Sequence, residues 1–179
     1  MKLAMFEKYQ AQAAVDLLAD VFTRSEGEQE GQLIRELVEN IIRTEPQEDA
    51  LGFVATDYND QLMGVNFFSR FALPSQLKAY ILSPMGVATS AQGTGIGQSL
   101  ITFGLEYLKL NGADIAITYG DPNYYHRVGF SQIDEDVIPA PFKLSQPHGW
   151  LAQSLSGDAI PKQTGTTHCI PALSRQEYW

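Results

Sequence analysis

Gln92-Gly93-Thr94-Gly95-Ile96-Gly97 lies between an apolar extended stretch that ends near Val87 and an amphipathic run that reaches Leu110. Alternate glycines at 93, 95 and 97 let the backbone turn tightly with several N–H groups facing outward, which makes an anion cradle. The run that follows carries Ile96, Leu100, Ile101, Leu105 and Leu108 on one stripe and reads as a helix. Its N-terminus adds unsatisfied donors and partial positive charge, so a pyrophosphate is held here without a lysine. Spacing then separates the nucleotide sites. Gly97 is followed by Gln98 and Ser99, which excludes a P-loop. The third glycine of a dinucleotide fingerprint falls on Gln98 counted from Gly93, and on Leu100 counted from Gly95, so that fingerprint fits poorly as well. On this motif alone, a glycine-rich strand-to-helix connection without a ligand stays open.

The flanking sequence supplies the elements around this turn. Lys2 to Phe6 suits a short first strand, and Val15, Leu18 and Phe22 recur at helical spacing beside Leu17 and Val21. Arg24 to Gly31 is polar and acidic and reads as a connection. Leu33, Ile34, Leu37, Val38, Ile41 and Ile42 then mark one face of a second helix. Leu51 to Asp57 and Leu62 to Phe71 form an antiparallel hairpin about Tyr58-Asn59-Asp60. Ala79 to Val87 is a further strand in which Pro84 and Gly86 interrupt ladder bonding and imply a bulge. Beyond the long helix, Asn111-Gly112 is a stop, Ile115 to Tyr119 a strand, and Asp121-Pro122 the cap and first position of a short helix closed by Gly129. Phe130 to Ile133 begins another strand and Trp150 to Leu155 is the last. Ile170, Leu173, Tyr178 and Trp179 pack the C-terminal segment onto the rest.

The 179 residues suit one domain, and 44% apolar against 18% charged residues suit a packed core. A net charge of −9 and a pI near 4.7 repel the phosphate backbone, which disfavours DNA and RNA as partners. The same charge suits a cationic acceptor such as an amine, although surface charge serves solubility first in most proteins of this pI. The single Cys169 rules out an internal disulfide and a multi-cysteine metal site. No stretch approaches a membrane span and no apolar leader is apparent, so a cytoplasmic enzyme is expected. His126, His148 and His168 show no ligand spacing, and no metal is assigned.

Further along stands Gly120-Asp121-Pro122-Asn123-Tyr124-Tyr125-His126-Arg127-Val128-Gly129-Phe130. Together with Gln92 to Gly97 and with Leu82-Ser83-Pro84-Met85-Gly86-Val87, it resembles the GNAT superfamily of N-acetyltransferases, specifically the small bacterial subfamily with Gly-Asp-Pro, Tyr and Gly-Phe in this order. The resemblance covers residues 50 to 131. It implies an α/β fold with a mixed, mostly antiparallel sheet that splays between the Ala79–Val87 and Ile115–Tyr119 strands, with acetyl-CoA as cosubstrate in the gap. Backbone groups of Met85, Gly86 and Val87 then bind the pantetheine arm. Gln92, Gly93, Thr94, Gly95, Ile96, Gly97 and Gln98 hold the pyrophosphate, and Asn123 and Tyr125 complete the cofactor site. Two departures stand out. Thr94 occupies a position where the family often has Lys or Arg, and the Gly120-Asp121-Pro122 turn replaces the family's asparagine.

The implied chemistry is direct acetyl transfer to a primary amine in a ternary complex. Collapse of the tetrahedral intermediate expels a thiolate, and a phenol with an ordinary pKa near ~10 is able to protonate it. Tyr125 is the general-acid candidate, while Tyr124, about 100° away on a helix, packs or lines the acceptor side. The Met85 or Val87 N–H serves the developing oxyanion. Glu26, Glu28 and Glu30 lie where the family builds its acceptor wall. A solvated acidic loop accounts for them too, and Glu30 is the residue selected as acceptor or base site. The alternative function is a non-catalytic acyl-CoA-binding sensor. Homodimers are frequent in the superfamily, but no stretch of this sequence reads as an interface.

Overall fold

Strand β2 (Ala50–Thr56) is buried along its whole length, and β3 (Leu62–Phe71) along most of its own, as expected for a hairpin at the centre of a sheet. They are part of a computed structural model that describes residues 1–179. The chain divides into two compact units, Met1–Phe68 with Pro84–Gly104, and Ser69–Ser83 with Leu105–Trp179. The seven strands are hydrogen-bonded in the order β1-β2-β3-β4-β5-β7-β6, an open and mostly antiparallel arrangement accompanied by helices. No helix is long and apolar enough to cross a membrane.

In the first unit, β1 (Lys2–Met5) pairs antiparallel with β2, from Lys2↔Thr56 to Met5↔Phe53. Helices α1 (Ala11–Glu26) and α2 (Glu28–Thr44) pack on each other, with Gly31 of α2 close against Ala19 and Thr23 of α1, and they bury Ala14, Val15 and Leu18 of α1 and Ile34, Leu37, Val38 and Ile41 of α2. The polar run from Arg24 to Gly31 is not the connection its composition suggests. α1 continues to Glu26, α2 begins at Glu28, and only Gly27, at φ 101°, breaks the helix. Glu28 and Glu30 occupy the first turn of α2, where carboxylates complement the helix dipole, so the acidic run starts a helix instead of looping. The end of β4 (Ala79–Val87), from Pro84 onward, feeds a short 3-10 turn at Thr89–Ala91 and then the first turns of α3 (Ile96–Leu110). Phe53 meets Phe68 and Phe103 edge-on, at centroid distances of 6.0 and 5.7 Å, and this cluster fixes the start of α3 on the hairpin.

In the second unit, β5 (Ile115–Tyr119) runs parallel to β4 and antiparallel to β7 (Trp150–Ser154), whose other edge takes β6 (Ser131–Gln132). The strand expected at Phe130 to Ile133 is thus short and at the sheet edge, because the later β7 takes the place beside β5. The C-terminal segment packs as its apolar residues require. Trp179, 5% exposed, stacks on Tyr119 and Phe142, and Trp150 donates its indole N–H to the Ile138 carbonyl at 2.8 Å.

Candidate active site

Each unit carries its own part of the candidate site. In the first, β4 leads into the glycine turn, where Gly93 and Gly95 adopt φ of 76° and 84°. A side chain there would meet no neighbour, so the requirement is conformational, since only glycine takes these angles at little cost. Two side chains brace the turn against its own backbone. Gln92 Nε2 donates to the Val87 carbonyl at 3.1 Å, and Thr94 Oγ1 donates to the Ala91 carbonyl at 2.6 Å. The Gln92 and Thr94 side chains therefore hold the cradle's shape. The Ser99 N–H bonds the Gly95 carbonyl at 3.0 Å, so the N–H groups of Ile96, Gly97 and Gln98 precede the first helical bond and face the cradle without an intrahelical acceptor. Residues 92–95 are exposed, which leaves the cradle open to an incoming anion.

β4 runs as a strand through Pro84 and Gly86 to Val87, without the break that these two residues suggest. Pro84 has no N–H to give, and at Gly86 α1 approaches so closely that a methyl group would lie 2.9 Å from Leu18 Cδ2. Met85 and Val87 are half-buried beside it. On the side toward β5 the parallel ladder runs from Ala79↔Ile115 to Leu82↔Thr118 and stops, although β4 continues to Val87. β5 ends one residue later, at Tyr119, so the ladder uses nearly all of the shorter strand.

The first unit also holds Glu30. It is half-buried, and burial together with the neighbouring Glu26 charge raises its pKa. Asn66 is a polar residue the sequence reading passed over. It is fully buried on β3 between Gly64 and Phe68, which both face α3, and neither its carbonyl nor its amide has a hydrogen-bond partner.

In the second unit, Gly120-Asp121-Pro122 launches α4 (Pro122–Tyr125) as read from sequence: Asp121 accepts from the Asn123 N–H at 2.9 Å and Pro122 takes the first turn. Asn123 is exposed. A 3-10 turn follows, closed by Gly129 in the left-handed region, and Phe130 returns its N–H to the Tyr125 carbonyl at 3.2 Å. This closure packs the Tyr125 ring edge-on against Tyr124 and Phe130, at 5.2 and 5.9 Å. A Cβ on Gly120 would fall 2.7 Å from Tyr125 Cε2, so the ring lies directly on the turn.

By surface Tyr125 is half-buried, yet the protein around its hydroxyl is sufficient to desolvate a phenolate. Burial pushes its pKa up to about 12, a hydrogen bond with Thr118 opposes the rise, and Tyr124 and Asp121 add to it. Burial also raises Tyr124, against the pull of Arg127. Tyr125 thus keeps its proton at neutral pH, and because a thiolate is a weaker base than a phenolate raised this far, it gives that proton up only where the phenolate is stabilised as it forms. His126 and Arg127 are exposed, and Cys169 is half-buried. No group of three or more His, Cys, Asp or Glu side chains is arranged to hold a cation.

No protein-family model matches the chain. An uncharacterised N-acetyltransferase of Escherichia coli (strain K12), YjhQ, is 31% identical over 140 residues, covering 75% of this chain and 76% of that protein. A mycothiol acetyltransferase of Renibacterium salmoninarum is 33% identical over 101 residues, covering 50% of this chain and 29% of that protein. Among solved structures, the GNAT N-acetyltransferase YhbS of E. coli, in complex with CoA, has a TM-score of 0.77 at 24% identity over 97% of this chain and 92% of its own. A GNAT acetyltransferase of Brucella melitensis, in complex with acetyl-CoA, has a TM-score of 0.70 at 23% identity over 97% of each chain. Those structures establish the fold, and the E. coli sequence relative establishes the family. The glycine turn, the β4 strand that leads into it and the Tyr125 turn are thus the local features of a chain that belongs to the GNAT family of N-acetyltransferases.

Proposed function

We propose that residues 1–179 act as one N-acetyltransferase domain that moves an acetyl group from acetyl-CoA to a primary amine by direct attack in a ternary complex. The observation that carries this reading is the end of the β4–β5 ladder at Leu82↔Thr118 while β4 runs on to Val87, which leaves strand backbone for an extended ligand to pair with. In this reading the pantetheine arm pairs with Met85, Gly86 and Val87, and the pyrophosphate sits on the N–H groups of Gly93 to Gln98, with Gln92 and Thr94 bracing the turn and Asn123 at the edge of the cofactor site. The amine nitrogen attacks the thioester carbonyl, the Met85 or Val87 N–H stabilises the oxyanion, and the C–S bond breaks. Tyr125 gives its proton to the departing sulfur. Glu30, raised by burial, takes the proton that the amine loses or holds the amine in place. The single Cys169 is far in sequence from these motifs, so an acyl-enzyme has no nucleophile among them. A cytoplasmic setting and a homodimer belong to the same reading.

The test is release of free CoA thiol from acetyl-CoA with a panel of primary amines that includes the acceptor of mycothiol acetyltransferases. Tyr125→Phe should lower kcat by about 10²- to 10⁴-fold, the usual contribution of a general acid. If acetyl-CoA raises the thermal transition but no amine accelerates thiol release, the protein is a binding sensor and the enzymatic reading falls.

A further inference from the structure

A circuit of bonds at the carboxyl end of β5 begins and ends at Tyr119. The Gln146 N–H donates to the Tyr119 hydroxyl oxygen at 2.6 Å, the Gly149 N–H donates to the Gln146 carbonyl at 2.8 Å, and the Gly120 N–H donates to the Gly149 carbonyl at 3.0 Å. The peptide bond between Tyr119 and Gly120 completes it. The Tyr119 ring is fixed independently, stacked on Trp179 at an interplanar angle of 17° and edge-on to Trp150. Gly149 has no room for a side chain, because a Cβ there would lie 2.8 Å from the Gly120 carbonyl oxygen and 3.4 Å from Tyr119 Cε2. The backbone of Gly149 thus lies directly against Gly120. Gly120 in turn carries the Tyr125 ring, whose Cε2 would be 2.7 Å from a Cβ at that position.

From this geometry we infer that Tyr119 is a positioning residue for the reaction: its hydroxyl holds the Gln146–Gly149 turn against Gly120 and so sets where the Tyr125 ring stands. This inference rests on the reading of Tyr125 as the proton donor. Pro147–Gly149 is a single 3-10 turn, and Gln146, Pro147 and His148 are exposed, so the turn is too short and too open to hold itself in place. The bond from Gln146 to the phenol anchors its entry, and the bond from Gly120 to Gly149 anchors its exit. Without the phenol oxygen the entry is free, and the added motion passes through Gly149 to Gly120 and to the ring that rests there. A displacement of about 1 Å at a reacting group costs about a hundredfold in rate, so a fraction of that shift is visible in kcat. Ser145 Oγ also lies 2.9 Å from the Tyr119 oxygen, but it is outside the circuit and serves as the comparison.

Tyr119→Phe keeps the ring and its stack and removes one oxygen. It should lower kcat by about three- to tenfold, the rate equivalent of one hydrogen bond, while KM for acetyl-CoA changes by less than about twofold, because the glycine cradle is untouched. Ser145→Ala should turn over like the parent protein. In a Tyr125→Phe background Tyr119→Phe should cost nothing further, since the ring then has no proton to deliver. Amide hydrogen exchange gives a readout apart from turnover: Tyr119→Phe should speed exchange at Gln146, Gly149 and Gly120 by about threefold or more and leave the interior of β5 protected. The inference is overturned if Tyr119→Phe turns over like the parent protein, if it raises KM with kcat unchanged, if Ser145→Ala costs as much, if exchange at Gly120 is unaltered, or if the loss is the same with and without the Tyr125 hydroxyl. Should Tyr119→Phe not fold, Gly149→Ala presses on Gly120 from the same turn and should lower kcat with Tyr125 present and not in the Tyr125→Phe protein, equal losses counting against the inference. If Tyr125→Phe itself leaves kcat unchanged, the proton-donor reading fails, and the exchange rates still decide whether Tyr119 holds the turn. If Tyr125→Phe is impaired and Tyr119→Phe is not, only the role of Tyr119 fails.

Discussion

Replacing Gly120 with alanine tests the site without touching a polar atom. The new methyl carbon would fall 2.7 Å from Tyr125 Cε2, 3.5 Å from Cδ2 and 3.6 Å from Cζ. Carbon atoms rest at about 3.5–4.0 Å, so the ring or the turn must yield by about 1 Å. The ring has little room, because Tyr124 and Phe130 hold it edge-on and Phe130, 1% exposed, is part of the core. Overpacking of this kind costs about 1–3 kcal/mol, offset by about 0.4–1 kcal/mol because alanine restricts the unfolded chain more than glycine does. The net loss of roughly 0–2.6 kcal/mol corresponds to a melting temperature lower by up to about 10 °C for a chain of this size. Catalysis should suffer more, since a displacement near 1 Å of a reacting group costs about a hundredfold in rate. The assay is thiol release at saturating acetyl-CoA and amine, read beside thermal unfolding. The reasoning is refuted if Gly120→Ala keeps kcat within about threefold while Tyr125→Phe loses it, because the ring position would then not matter to the proton it carries.

Three further outcomes follow from the same structure. Tyr125 is raised to about 12 in the folded chain against about 10 in an unfolded one, so its contribution is complete below pH ~10 and disappears between pH ~10 and ~12; Tyr125→Phe should flatten that part of the stability curve, and an unchanged slope would contradict the buried phenol. Glu30 is also raised in the folded chain, so its contribution is present below the ordinary carboxylate range and lost as pH rises through its folded value. Glu30→Gln should accordingly raise the melting temperature at pH 7 while it slows turnover of amines, and full turnover in that variant removes Glu30 from the acceptor site. Asn66, buried with both ends of its amide unpartnered, should give a protein about 1–3 kcal/mol more stable when replaced by leucine; denaturant unfolding that shows a loss instead would mean that internal water satisfies the amide.

The parts of the site legible in sequence are those governed by local backbone physics. Positive φ at Gly93 and Gly95, the cap that Asp121 places on Asn123, and the left-handed Gly129 all follow from residues within a turn of each other. The break suggested by Pro84 and Gly86 did not follow, since β4 continues through both to Val87. Arg24 to Gly31 misled because charge density suggests solvent, whereas Glu28 and Glu30 sit comfortably in a first helical turn and one glycine suffices to separate two helices. Thr118 gave no signal, since threonine is an ordinary strand residue and the bond that distinguishes it reaches Leu82 on another strand.

By itself the sequence determined the elements, the glycine cradle and the order of motifs that points to an N-acetyltransferase, because hydrophobic period, capping and glycine φ act over a few residues. Only the tertiary structure decided that β7 comes between β5 and β6, that the β4–β5 ladder ends at Leu82↔Thr118, and that Trp179 stacks on Tyr119 and Phe142. Strand order, ladder ends and burial depend on contacts between residues far apart in the chain. The pKa of Tyr125 near 12 is of this second kind, since desolvation is a property of everything packed around a group and not of its neighbours in sequence.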